Sequence, residues 1–108
     1  MTPLPGELWI ADIPFTTGMA AKRRPVLVLW LEGQDAVVAA VTSAAPRSQT
    51  DVPLVEWMSA GLRLASTVRL ARLDCMEQTL LLRKQGMLHG VDADRIHVVW
   101  SQFVRPKF

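Results

Sequence analysis

Lys22, Arg23 and Arg24 are three consecutive cations that end at Pro25, and Val26-Leu27-Val28-Leu29 follows at once. The chemistry such a cluster offers is anion binding. Arginine presents a planar fork of donors that matches two phosphate oxygens, and lysine adds a compact charge. A short solid run of Val and Leu reads as a buried strand, and proline suits a strand's first position because it cannot donate to a ladder. The expectation is a loop of cations at the edge of a rigid element, a good place to hold a phosphate. A second band of cations, Arg63, Arg69, Arg72, Arg83 and Lys84, lies in the other half of the chain. Net charge is only +2, so local clustering, not total charge, is what suggests a polyanion.

Other chemistries are poorly provided for. Cys75 is the single cysteine, which excludes an intrachain disulfide and fits a reducing cytoplasm. His89 and His97 have no ligand-type neighbours at useful spacing, so no metal site and no cofactor are expected. The apolar runs are short and interrupted, so no membrane span is expected. Met-Thr-Pro-Leu-Pro-Gly at the N-terminus lacks the basic and apolar regions of a signal peptide. With 108 residues, half of them hydrophobic and a fifth charged, the chain reads as one domain over 1–108.

The elements that must position the cations follow from patterning. Glu7 to Ile13 is apolar and β-prone, and reads as a strand. Residues 14–21 read as a loop, Pro25 to Leu31 as the second strand, and Ala36 to Thr42 as the third. Glu32-Gly33-Gln34-Asp35 between them predicts a hairpin. A polar loop over 43–50 leads to a short edge strand at Val52-Pro53-Leu54 and a helical turn from Trp57 to Gly61. Ala65 to Leu73 alternates, with Arg69 and Arg72 interleaved among Val68, Leu70 and Leu73, and Thr79 to Arg83 suits strand or helix. Ile96, Val99, Trp100 and Phe103 fall at i, i+3, i+4 and i+7, one face of a helix that Asp92 or Asp94 can cap and Pro106 follows. About five or six short strands with one C-terminal helix suggest a mainly β, strongly bent small barrel. Trp9 and Trp100 lie on apolar faces, as core or dimer contacts. Trp57 is expected to be exposed, where it either packs on the surface or stacks a base of single-stranded RNA.

Four blocks in order carry a resemblance: Gly6-Glu7-Leu8-Trp9; Lys22 through Leu29; Val41-Thr42-Ser43; and Gly61-Leu62 through Ala65-Ser66-Thr67-Val68-Arg69 to Leu82-Arg83-Lys84-Gln85-Gly86. Together they resemble the MazF/PemK toxins, the ribonuclease components of bacterial toxin–antitoxin pairs. The resemblance implies an SH3-like barrel that forms a homodimer in the cytoplasm. It implies metal-independent cleavage of single-stranded RNA, mostly mRNA, at short sequences. It also implies a cognate antitoxin whose C-terminal segment covers the active groove.

The same resemblance assigns roles. Arg24 matches the family's catalytic arginine. A guanidinium barely deprotonates, so charge stabilisation suits it better than proton donation. Thr42, with Ser43 beside it, matches the second site position, where a hydroxyl can bond a phosphate oxygen or the nucleophile. Arg69 matches an arginine that some PemK-type members use as an acid, with an aspartate two residues on as base. This chain has Ala71 there. The base then comes from Glu7, Asp12 or Asp74, from water, or from the substrate. Lys22 and Arg23 contact phosphates or order their loop, and loop 14–21 covers the RNA groove. Arg83-Lys84-Gln85-Gly86 reads equally as structural or functional. Two other readings stand beside the nuclease: a non-catalytic toxin of the same fold that binds DNA gyrase, and a non-toxic RNA-binding module.

Overall fold

The protein is described by a computed structural model covering residues 2–13 and 22–108. The loop expected over 14–21 lies outside the described residues. Among the described residues there are six strands: β1 (Glu7–Ile13), β2 (Lys22–Glu32), β3 (Asp35–Thr42), β4 (Asp51–Pro53), β5 (Thr67–Glu77) and β6 (Leu81–Met87). A helix, α1 (Gly90–Phe103), follows them. The strands form one antiparallel sheet in the order β4-β5-β3-β2-β1-β6. The mainly β class with a C-terminal helix is as expected. The barrel, however, is not closed. The sheet ends at β4, whose three residues include a proline and offer few ladder groups.

Solid apolar runs form the central strands because both faces of the sheet are covered. Leu8, Leu27, Ala39, Val41, Val68 and Leu70 face one cluster, against which Ile96, Val99 and Trp100 of α1 pack. Trp9, Ala11, Val26, Val28, Val38 and Met76 face the other. Each such Val or Leu contributes about 1.5–3 kcal/mol relative to an exposed position. Gly33 and Gln34 make the two-residue turn between β2 and β3, and Gly33 takes φ 59°, which suits glycine at the first turn position.

Four expectations need correction. The cations are not on a loop: β2 begins at Lys22, and Pro25 lies within the strand opposite Ile10. Proline is tolerated there because β3 pairs with β2 only from Val26 onward, leaving that side of residues 22–25 outside the ladder. Neither Asp92 nor Asp94 caps α1. His89 does, its Nδ1 accepting from the Val91 N–H at 3.1 Å. Asp92 is instead buried in the first turn, where its two oxygens accept the N–H groups of Val55 and Glu56, each at 2.9 Å. Trp57 is half-buried and packs on the main core, next to Val55 and Glu56, whose N–H groups are bonded to Asp92 of α1. The segment after β5 divides into a 3₁₀ turn (Gln78–Leu80) and β6, and β5 itself runs on to Glu77.

Candidate nucleic-acid interface

A cavity of about 420 Å³ opens where the start of β2, the end of β3, the loop before β5 and strand β6 converge. β2 and β3 pair as far as Val26 and Ala40, and just beyond that last pair Arg24 and Thr42 both line the cavity. Lys22, Arg23, Arg24, Arg63 and Arg83 all line this cavity, with Thr42, Ser43, Ser66 and Gln85 as neutral polar groups. Among the described residues, no carboxylate lines it. Five cations around one concavity focus a positive potential that attracts a polyanion.

A second cavity, of about 250 Å³, shares Arg24, Val41 and Thr42 with the first. Its wall adds Arg69 and Arg72, again without a carboxylate. Residues three apart on a regular strand point to opposite faces. Arg69 and Arg72 reach one cavity because β5 is bulged: Ala39 pairs with Leu73 while the next residue, Ala40, pairs with Arg69. The bulge is invisible in the alternation of the sequence. Arg24 and Thr42 thus line both cationic spaces, with Val41.

The predicted site residues divide accordingly. Arg24, Thr42, Lys22, Arg23 and Ser43 meet in the larger cavity, and Arg69 joins Arg24 and Thr42 only in the smaller one. Among the described residues, no carboxylate pairs with Arg24. Arg23 stands 3.8 Å from Asp12, with its side chain 74% exposed, so that pair is weak. Thr42 Oγ1 accepts from the Ala44 N–H at 3.1 Å, which leaves its own O–H to donate. Trp57 lines neither cavity. Arg63 and Arg83 were visible as members of a cation band. Ser66 and Gln85 were visible only as members of the fourth block of resemblance; the packing of residues 60–66 against β6 brings them to the cavity.

The carboxylates considered as bases are elsewhere. Glu7 is buried, and Oε1 accepts from the Leu4 N–H at 2.8 Å and the Trp9 indole at 3.0 Å. Its Oε2 meets Lys84 Nζ at 2.8 Å. Burial alone would push this carboxyl up. The bonds from Lys84, Leu4 and Trp9 outweigh it and hold Glu7 below the ordinary carboxylate range. Asp74 is exposed beside Val38, four residues from Thr42 along β3. Neither Glu7, Asp12 nor Asp74 lines either cavity. Sequence reasoning missed Asp51, a buried carboxylate 3.5 Å from Arg69 Nε. Nothing in the spacing of two residues so far apart links them.

Among the described residues, no group of His, Cys, Asp and Glu is arranged to hold a metal ion. Among the described residues, no helix is long and apolar enough to cross a membrane.

Comparison with known proteins gives one family match. The family described as PemK-like, MazF-like toxin of type II toxin-antitoxin system matches residues 4–103. Among solved structures, an endoribonuclease from a mycobacterial species is 15% identical, covers 100% of this chain and 96% of its own, and superposes with a TM-score of 0.76. A mycobacterial endoribonuclease in complex with its cognate antitoxin is 16% identical, over 96% of this chain and 97% of its own, with a TM-score of 0.76. The Mycobacterium tuberculosis toxin MazF-mt6 is 23% identical, over 93% and 98% of the two chains, with a TM-score of 0.72. At these identities the likeness is one of fold. A search of curated proteins gives no match.

Proposed function

The chain belongs to the PemK-like, MazF-like toxins of type II toxin–antitoxin systems, and from that premise we propose that it is a metal-independent endoribonuclease cutting single-stranded RNA at short sequences. The observation that carries the reading is that Arg24 and Thr42 line both of two cation-lined cavities, neither of which has a carboxylate among its described lining residues. A polyanion threading past these two residues would have one phosphate at Arg24 and further cations of both cavities within reach. The structural likeness to a mycobacterial endoribonuclease supports the same reading.

In the proposed reaction the ribose 2′-oxygen attacks phosphorus and the bond to the 5′-oxygen breaks. A 2′,3′-cyclic phosphate and a free 5′-hydroxyl result. Arg24 holds the non-bridging oxygens in two-point geometry and neutralises the charge that grows on them. The Thr42 hydroxyl donates to one of the same oxygens. Arg69, from the smaller cavity, stabilises the departing oxygen, which takes a proton from water to become the 5′-hydroxyl. Lys22, Arg23 and Ser43 hold the adjoining phosphate on the other side. With no carboxylate lining either cavity, the 2′ proton passes to water or to a phosphate oxygen of the substrate.

A cognate antitoxin is proposed as the partner, since a similar fold is known in complex with one. A homodimer is proposed as well. The T-shaped pair of Trp30 and Trp100, with centroids 5.9 Å apart, edges an apolar hollow shared with Leu29 and Ile96. Trp30 is 38% exposed there, which gives a second copy apolar surface to cover.

Ala71, where a related active site would carry a carboxylate, favours a second reading: a non-catalytic toxin that binds DNA gyrase. Incubation with short single-stranded RNA in EDTA separates the two. Cutting by the wild type and none by a folded Arg24→Ala variant supports the nuclease. Intact RNA together with trapped, gyrase-cleaved DNA supports the other.

A further inference from the structure

We propose that Asp51 is a positioning residue for this site: from its buried place at the start of β4 it holds the Arg69 guanidinium in the wall formed with Arg24 and Thr42, without itself touching RNA. The inference rests on the reading of that wall as the cleavage site.

Asp51 opens β4 directly opposite Arg69 of β5. Its side chain is only 3% exposed. A buried carboxylate is costly unless it is paired and hydrogen-bonded. Asp51 is both: Oδ2 accepts from the Arg47 N–H at 2.9 Å, and Oδ1 lies 3.5 Å from Arg69 Nε. Arg47 belongs to the loop that follows Thr42 and Ser43. One carboxylate therefore ties that loop to β5.

The two ends of the Arg69 guanidinium have different surroundings. Nε is buried and makes no hydrogen bond, so the charge of Asp51 is what offsets its loss of water. The side chain as a whole is 26% exposed and lines the cavity with Arg24 and Arg72. Three arginines around one small space repel one another. Among the described residues, the contact with Asp51 is the only ion pair made by any of them. Removing that charge frees Arg69 to swing away from Arg24 and Arg72 into solvent. Asp51 is not the base, since it lines neither cavity and its oxygens are already engaged.

Asp51→Asn keeps the shape and an oxygen for the Arg47 N–H while removing the charge. Cutting of a short single-stranded RNA is compared across wild type, Asp51→Asn, Arg69→Ala and the double variant, with thermal melts to confirm folding. Exchange of the Arg69 Nε–H is followed by NMR in wild type and Asp51→Asn. The expected result is a loss of about tenfold to a hundredfold in kcat for Asp51→Asn, no further loss when it is added to Arg69→Ala, and faster Nε–H exchange. Equal losses in both backgrounds, or none, would overturn the proposal. Should the wild type leave RNA intact, the nuclease reading fails and the Nε–H exchange alone decides: an unchanged rate overturns the role of Asp51, a faster one supports it. Should Asp51→Asn not fold, Arg69→Lys takes its place. Cutting as poor as that of Arg69→Ala supports an oriented fork, and full cutting overturns it.

Discussion

Gly61 and Gly86 pack backbone against backbone. A Cβ on Gly86 would overlap the Ala60 carbonyl, and one on Gly61, which has φ 91°, would overlap the carbonyl of Gln85. The Gln85 side chain completes the contact, its Nε2 donating to the Gly61 carbonyl at 3.0 Å. This close approach docks residues 60–66 onto β6 and so brings Arg63 and Ser66 beside Arg83 and Gln85 in the larger cavity. Gly86→Ala, which must push two backbones apart, is expected to cost about 1–3 kcal/mol. Denaturant unfolding checks the stability, and RNA cutting at a temperature where the variant is folded should fall as well.

Glu7 predicts an acid-sensitive fold. Its carboxyl is held below the ordinary value of 4.5 in the folded protein. A depressed folded value means that the ionised form stabilises the fold above 4.5, and that this contribution is lost as pH falls through the lower folded value. Wild-type Tm should drop in that acid window. Glu7→Gln should lower Tm at neutral pH, because Lys84 loses its partner, and should flatten the acid dependence. Tm measured against pH for both proteins tests this.

Asp92 is expected to matter for stability and not for chemistry. Its side chain satisfies the N–H groups of Val55 and Glu56 and lines neither cavity. Asp92→Ala should cost about 1–3 kcal/mol in denaturant unfolding. RNA cutting by the folded fraction should be unchanged.

How much of this was legible in the sequence depended on the range of the interactions. β1, β3 and α1 were visible because their patterns are local: apolar runs between turn residues for the strands, and a 3.6-residue stripe for the helix. Lys22-Arg23-Arg24 was visible as an anion-binding cluster, yet its backbone was misread. Pro25 looked like a strand start, when it is tolerated mid-strand because β3 stops pairing at Val26. The helix cap was misassigned for a similar reason. Asp92 is a good capping residue by type, but a loop 36 residues away competes for its oxygens and wins. Asp51 and the bulge that unites Arg69 with Arg72 were illegible, since both depend on strand register.

Cationic lining of the larger cavity predicts salt-dependent RNA binding. Each phosphate contact to a single strand contributes about 0.7 to the slope of log K against log salt concentration. Arg63→Ala and Arg83→Ala should each reduce the slope by about that amount. Titration of a short single-stranded RNA at several salt concentrations, read by fluorescence anisotropy, measures it.

The central claim concerns Arg24, and mapping of RNA ends in EDTA tests it most directly. The wild type should yield 2′,3′-cyclic phosphate and 5′-hydroxyl ends at a short shared sequence, and Arg24→Ala, still folded, should cut about a hundredfold to a thousandfold more slowly. Undiminished cutting by Arg24→Ala, or ends bearing a 5′-phosphate, would contradict the account.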